Sequence, residues 1–269
     1  MIAVEDGLAR LRGELVATAK VVVAFSGGAD SAFLAYVANE TLGSANVLCA
    51  TAVSPSLAPE ELADCRALAS EWGLRHVEVD TDELANPAYR ANDGERCYHC
   101  KTDLMRALEP LAVAEGAVIA LGVNLDDLGD HRPGQRAAAE RGAVFPLVAA
   151  SLDKSSVRRI SNDLGLRTWD KPAAACLASR VPYGTPVTLS VLGRVAQAES
   201  ALRRLGFAAL RVRHYGDVAR IELPTQDLER AIALRGEITE AVKTAGYRYV
   251  TLDLEGLRSG NLNAALSPS

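Results

Sequence analysis

Apolar residues in the first part of the chain come in short unbroken runs: Val21–Phe25, Val47–Val53, His76–Val79 and Val118–Gly122. Runs of Val, Ile and Ala without alternation suit strands buried on both faces. The segments between them carry apolar residues at helical spacing. Ala32–Leu42 stops at Gly43, and Pro59–Trp72 opens on proline and stops at Gly73, residue types that favour the two ends of a helix. Ahead of the first strand, Leu8, Leu11 and Leu15 mark one face of an amphipathic helix. Strand and helix in alternation predict an α/β, Rossmann-like fold. Its mostly parallel sheet has right-handed crossovers, and its ligands bind beyond the carboxyl ends of the strands.

The rhythm changes after Thr188. A helix (Leu189–Leu205), two strands (Leu210–Tyr215 and Val218–Leu223), a helix (Gln226–Ala245) and a strand (Tyr249–Leu254) follow, with Gly216–Asp217 suited to a two-residue hairpin turn. The stretch before them carries Pro172, Pro182 and Pro186 and reads as an ordered loop. The expected division is a nucleotide-binding domain over 1–170, a loop over 171–188, and a smaller α+β unit over 189–269 for substrate binding or oligomerisation.

Composition narrows the classes. The 269 residues are 49% hydrophobic and 23% charged, with a net charge of −5, so no general attraction to nucleic acid or anionic membrane is expected. No apolar run approaches the ~20 residues of a membrane helix. Met1–Lys20 mixes acids and bases and lacks a signal peptide's apolar centre, which points to the cytoplasm. There the five cysteines are expected to stay reduced and to serve metal binding or thiol chemistry.

Ser26-Gly27-Gly28-Ala29-Asp30-Ser31 lies between the first strand and its helix. The glycines allow a tight turn, and the helix start adds unpaired N–H groups and the positive end of its dipole, a setting for phosphate. A Gly-Gly turn with an Asp or Ser cap is common in any protein, but six residues at this position favour a ligand. The loop holds no lysine, which disfavours the Walker type of kinase or ATPase. Ser-Gly-Gly-x-Asp-Ser resembles the signature of the ATP pyrophosphatase superfamily, which includes NAD and GMP synthetases and tRNA-thiolating enzymes. That resemblance implies cleavage of ATP between its α- and β-phosphates, with AMP passed to an oxygen and then displaced.

Further segments carry chemistry. Gly122-Val123-Asn124-Leu125-Asp126-Asp127 follows the fourth strand; Gly122 and Asn124 are expected beside ATP, and Asp126 and Asp127 are candidate Mg²⁺ ligands or an acid-rich capping turn. Arg132 is a candidate phosphate contact. Arg96-Cys97-Tyr98-His99-Cys100-Lys101 holds a Cys-x-x-Cys pair fit for metal or redox work. In Ala175-Cys176-Leu177-Ala178-Ser179-Arg180, the guanidinium of Arg180 is expected to favour the Cys176 thiolate. Cys49 and Cys65 read as small core residues. Arg211 and Arg213 share a face of one strand, as Arg220 and Glu222 do on the next, either as a phosphate clamp or as a row of solvated ion pairs; Glu199 is a weaker candidate.

In order and over nearly the whole chain, these segments, with Asp253-Leu254-Glu255-Gly256, resemble the LarE family of sulfur transferases. The resemblance implies adenylation of a carboxylate of pyridinium-3,5-biscarboxylic acid mononucleotide and its conversion to a thiocarboxylate, towards the nickel-pincer cofactor of lactate racemase. It implies ATP and Mg²⁺ as cofactors, Cys176 as the catalytic residue, and Arg180, Arg211 and Arg213 at the substrate. A homo-oligomer without nucleic-acid partners is expected. Two sulfur sources occur in the family: Cys176 itself, consumed once, or a [4Fe–4S] cluster on three cysteines, for which this chain offers Cys97, Cys100 and Cys176. The cluster is favoured, since it gives the Cys-x-x-Cys pair a purpose; a zinc site drawing on His99 is strained by its position inside the pair. The rivals are an amidating ligase related to NAD synthetase, a tRNA thiolase, and a nucleotide-binding regulator without catalysis.

Overall fold

The computed structural model describes residues 2–129, 133–172 and 175–258; Arg132 lies outside the described residues. In chain order the elements are α1 (Ile2–Thr18), β1 (Val21–Ala24), α2 (Ala29–Leu42), β2 (Val47–Val53), α3 (Pro59–Glu71), β3 (His76–Asp80), α4 (Pro87–Ala91), α5 (Arg96–Glu115) and β4 (Val118–Ala120). Then come α6 (Pro133–Glu140), α7 (Pro146–Ala149), α8 (Lys154–Asp163), α9 (Leu189–Arg204), β5 (Arg211–Tyr215), β6 (Val218–Glu222), α10 (Leu228–Ala233), α11 (Arg235–Thr244) and β7 (Tyr249–Leu252). Two compact units emerge. The first takes Met1–Ser54, Pro59–Glu83 and Cys97–Ala174; the second takes Pro55–Ala58, Leu84–Arg96 and Ala175–Ser269.

The first unit is built on a four-stranded sheet in the order β3-β2-β1-β4, parallel throughout. The unbroken apolar runs have the expected consequence. On β1, Val21 and Val23 point into a core with Leu11, Leu15, Phe33, Leu34 and Leu68, while Val22 points into a second core with Leu48, Met105, Leu108 and Ile119. Each such side chain contributes about 1.5–3 kcal/mol when buried. The strands occur where the runs predict them, but β1 and β4 stop short of Phe25 and Leu121, where the chain turns into the site loops. The amphipathic α1 covers one face through Leu11 and Leu15.

The second unit has a three-stranded sheet, β5-β6-β7. β5 and β6 form the expected hairpin around Gly216 (φ +63), and β7 joins parallel to β6. Val212, Ala219 and Ile221 face a core with Leu202, Phe207, Ile238 and Val242, so the alternate residues Arg211, Arg213, Arg220 and Glu222 share the other face. The single helix predicted over 226–245 is instead a 3₁₀ turn (Thr225–Asp227) followed by α10 and α11. The chain leaves helical geometry at Leu234 (φ −92°, ψ 15°), and Leu234 and Ile238 both reach the core. Among the described residues no helix is long and apolar enough to cross a membrane.

Candidate active site

β1 is where the sheet reverses: β2 lies on one side of it and β4 on the other. Such a switch point opens a crevice at the carboxyl ends of the strands, and the predicted phosphate loop sits there. Gly27 adopts φ +66, and a Cβ at Gly27 would also stand 2.9 Å from Sγ of Cys65. Glycine is therefore required twice over. α2 begins at Ala29 with no side chain capping it, so the N–H groups of its first turn are left for a ligand. Ser31 braces the loop from inside: its Oγ donates to the carbonyl of Gly28 (3.2 Å), accepts from the Ser26 N–H (3.3 Å) and lies 3.0 Å from Ser26 Oγ. Cys65 and Cys49 are core residues, as the sequence suggests; burial pushes both thiols up, Cys49 to about 12.

The segment after β4 runs directly against this loop. A Cβ on Gly122 would lie 2.8 Å from the nitrogen of Ser31 and 2.9 Å from the carbonyl carbon of Asp30. That approach sets buried Asn124 beside Asp30. Burial raises the pKa of Asp30; Asn124 offsets this, the charge of Asp127 adds to it, and Lys154 and Arg158 counter it. The contact with Asn124 is loosely aligned, since Asp30 Oδ1 and Asn124 Nδ2 are both buried without a well-formed hydrogen bond. Asp126 and Asp127 part company. Asp127 Oδ2 accepts from the Asn124 N–H (3.2 Å), whereas Asp126 Oδ2 accepts from the N–H of Lys154 (2.9 Å) at the start of α8. Lys154, Arg158 and Lys171 are charged residues of this region that the sequence alone does not single out. They lie in segments without a phosphate-binding signature, and only the fold brings them near the loop.

Cys97 and Cys100 occupy the first turn of α5, three residues apart and so neighbours on the helix surface. Cys97 is exposed and Cys100 half-exposed. Their turn is held against α6: Tyr98 donates to Glu140 (2.6 Å), the Arg136 guanidinium lies over the Tyr98 ring, and a Cβ on Gly134 would stand 3.0 Å from the Cys97 carbonyl oxygen. Among the described residues no three His, Cys, Asp or Glu side chains come together as ligands of one metal ion.

Cys176 belongs to the second unit, exposed, just before a 3₁₀ turn at Leu177–Arg180. Asn92 fixes the loop that follows. Fully buried, in the left-handed region (φ +56), it donates through Nδ2 to the carbonyls of Pro182 and Thr185 (both 2.8 Å) and accepts from Arg96 Nη1 (2.6 Å), which also reaches the Ala178 carbonyl (2.9 Å). The Asn92-Asp93-Gly94 run is the sequence signal that could have revealed this turn. Arg180 does not turn to the thiol as expected. Its Nε and Nη2 bind Glu199 (2.8 and 3.2 Å), and Nη1 binds the Ala175 carbonyl (2.6 Å) and Ser179 Oγ (3.1 Å). Buried Glu199 also takes Arg203 (3.1 Å) and the Val212 N–H (3.0 Å), and organises the loop with no opening to a ligand.

The strand arginines divide as well. Arg213 is buried, paired with fully buried Glu222 (2.9 Å) and bonded to the Ser179 carbonyl (2.8 Å); Arg220 shares Glu222 (2.9 Å). The ion pairs are thus buried, not a solvated row. Arg211 has no carboxylate partner among the described residues, and its Nη1 donates to the Arg258 carbonyl (2.9 Å). Burial, and then the charges of Arg180 and Arg213, lower its pKa, with Glu222 and Glu199 offsetting in part. An anion beside Arg211 relieves that crowding of positive charge.

The NAD synthase family profile matches residues 6–106, the stretch holding the phosphate loop. An uncharacterised protein of Synechocystis sp. is 48% identical over 265 residues, 97% of each chain. An uncharacterised protein of Methanocaldococcus jannaschii is 28% identical over 241 residues, 89% of this chain and 91% of that one. The pyridinium-3,5-bisthiocarboxylic acid mononucleotide synthase of Lactiplantibacillus plantarum is 37% identical over 265 residues, 97% of this chain and 96% of its own. On that match, with the phosphate loop and the Cys-Leu-Ala-Ser-Arg turn in place, this chain belongs to the LarE family of ATP-dependent sulfur transferases.

Proposed function

We propose that this chain uses ATP to adenylate a carboxylate of pyridinium-3,5-biscarboxylic acid mononucleotide and then replaces the AMP with sulfur, in the synthesis of a nickel-pincer cofactor. The observation that carries the reading is the crevice at β1 and β4: a lysine-free phosphate loop, an uncapped helix start and a buried carboxylate pressed together by Gly122. The substrate carboxylate attacks the α-phosphorus, and pyrophosphate leaves. Carboxylate oxygen is a poor leaving group, whereas AMP is a good one, so a sulfur nucleophile then displaces it. Gly27, Gly28 and Ser31 hold the phosphates through their N–H groups and Ser26 through its hydroxyl, with Gly122 and Asn124 closing the crevice. Arg211 is the strand arginine left to take the substrate's phosphate, because Arg180 and Arg213 are committed to Glu199 and Glu222.

Mg²⁺ fits the chain in one respect: Asp30 Oδ1 is a buried carboxylate oxygen without a well-formed hydrogen bond, the hard ligand such a cation prefers. Asp30 and Asp127 would hold it, and it would offset the negative charge of the phosphates. Three accessible thiols, two on one helical turn, have the chemistry of iron–sulfur ligands. A [4Fe–4S] cluster on Cys97, Cys100 and Cys176 would supply the sulfur from an iron without a protein ligand; Cys176 acting alone would be consumed.

The test is AMP and pyrophosphate release with and without the mononucleotide under anaerobic conditions. Release that depends on the mononucleotide and accompanies thiocarboxylate supports the reading. Product formed with ammonia and not with sulfur establishes instead the amidating ligase that the NAD synthase match leaves open. Iron and sulfide near four of each per chain identify the cluster, and a Cys176 lighter by the elements of hydrogen sulfide identifies the consumed cysteine.

A further inference from the structure

We propose that Lys171 is a positioning residue of the adenylation site, an ionic latch that fixes the phosphate loop from behind and does not touch the phosphates. The inference rests on the reading of that loop as the ATP site. An ammonium has three N–H donors, and all three are used within the first unit: on the Gly27 carbonyl (3.1 Å), Glu61 (2.9 Å) and Asp64 (2.7 Å). None remains for a ligand. Its charge is also matched, since Arg167 bridges Asp64 and Glu71 (both 2.8 Å) and the group holds two cations against three carboxylates. Such a cluster offers no net attraction to a triphosphate.

The Gly27 carbonyl matters because a trans peptide is planar. Fixing that oxygen towards Lys171 turns the next N–H, that of Gly28, to the opposite side of the loop. Gly27 stands at φ +66, with Cys65 of α3 packed beneath it. The residue after Gly27 thus has its amide set by a contact 144 positions away in sequence. α3 supplies both the floor under Gly27 and the two acids that hold the ammonium in place. Burial works against the Lys171 charge, and the hydrogen bonds it donates to Asp64 and Glu61 outweigh that and raise its pKa.

Hydrogen exchange of the nucleotide-free protein and ATP binding test the latch together, in wild type, Lys171→Met, and Lys171→Met with Glu61→Gln and Asp64→Asn. The triple variant removes the carboxylate charges that the single one strands, so the fold survives. The amides of Ser26 and Ala32, bonded to Ser31 Oγ and the Gly28 carbonyl, should exchange about tenfold faster in both variants, with β2 and α5 unchanged. The Kd for ATP should rise about tenfold with its salt dependence unaltered, because no phosphate contact is lost. Loop exchange at the wild-type rate overturns the latch, and so does a shallower salt dependence, which makes Lys171 a phosphate ligand. A wild-type protein that fails to bind ATP while its variants still loosen the loop refutes the nucleotide reading and leaves the latch standing.

Discussion

Gly122→Ala adds one methyl group where the fold has no room for it. The new Cβ would meet three backbone atoms: the Ser31 nitrogen at 2.8 Å, and the Asp30 carbonyl carbon and Ser31 Cα at 2.9 Å each. Carbon contacts settle near ~3.5–4.0 Å, so the two backbones must part by more than half an ångström, on the order of the difference between those values. Neither is the end of a flexible side chain. Overpacking of this kind costs about 1–3 kcal/mol, and here the strain falls on the first turn of α2, whose uncapped amides are the proposed phosphate contacts. A displacement of ~1 Å at a reacting centre costs about a hundredfold in rate; the expected loss in kcat/KM for ATP is therefore between about tenfold and a hundredfold. The assay is pyrophosphate release against ATP concentration, beside a thermal melt. Gly13→Ala is the control, because nothing lies within 4 Å of its Cβ on α1 and alanine favours a helix. Activity of Gly122→Ala within twofold of wild type would refute the close approach of the segment after β4 to α2.

Three other substitutions separate stability from function. Glu199→Gln leaves Arg180 buried without its counter-charge and should cost about 3–5 kcal/mol in urea unfolding; a loss under about 1 kcal/mol contradicts the buried pair. Asp30→Asn should raise the melting temperature of the nucleotide-free protein at neutral pH while abolishing pyrophosphate release. Burial holds the Asp30 pKa above the ordinary 3.8, so the native state favours the protonated carboxyl; the penalty is absent below the ordinary value and complete above the raised one. The gain from asparagine should accordingly shrink as the pH falls through that window, and a lower melting temperature at neutral pH counts against it. Arg211→Met should raise KM for the mononucleotide about tenfold to a hundredfold, the worth of a charged hydrogen bond, and leave KM for ATP alone; an equal effect on a substrate lacking the phosphate argues for another role.

The residues differ in how openly the sequence announces them. The strands and the phosphate loop were legible because buried parallel strands are unbroken Val, Ile and Ala, and because the loop is contiguous. Cys65 was legible as core from its helical neighbours, though not its place beneath Gly27. The helix carrying Cys97 and Cys100 was not, since its first turn is polar and shows no apolar period. Nor were the arginine partners: alternation put Arg211 and Arg213 on one face, but only the fold shows that Glu222 neutralises Arg213 and leaves Arg211 exposed to its neighbours' charge. Lys171 was invisible for the same reason, its partners being distant in sequence.

The most direct measurement follows pyrophosphate and thiocarboxylate together, with the mononucleotide and ATP, in wild type and in Cys176→Ser. In the proposed function adenylation at the loop and sulfur delivery through Cys176 are separate steps, so Cys176→Ser should release pyrophosphate when the mononucleotide is present and form no thiocarboxylate, while the wild type forms both in equal amounts. Thiocarboxylate from Cys176→Ser at the wild-type yield would contradict the assignment of sulfur transfer to this cysteine.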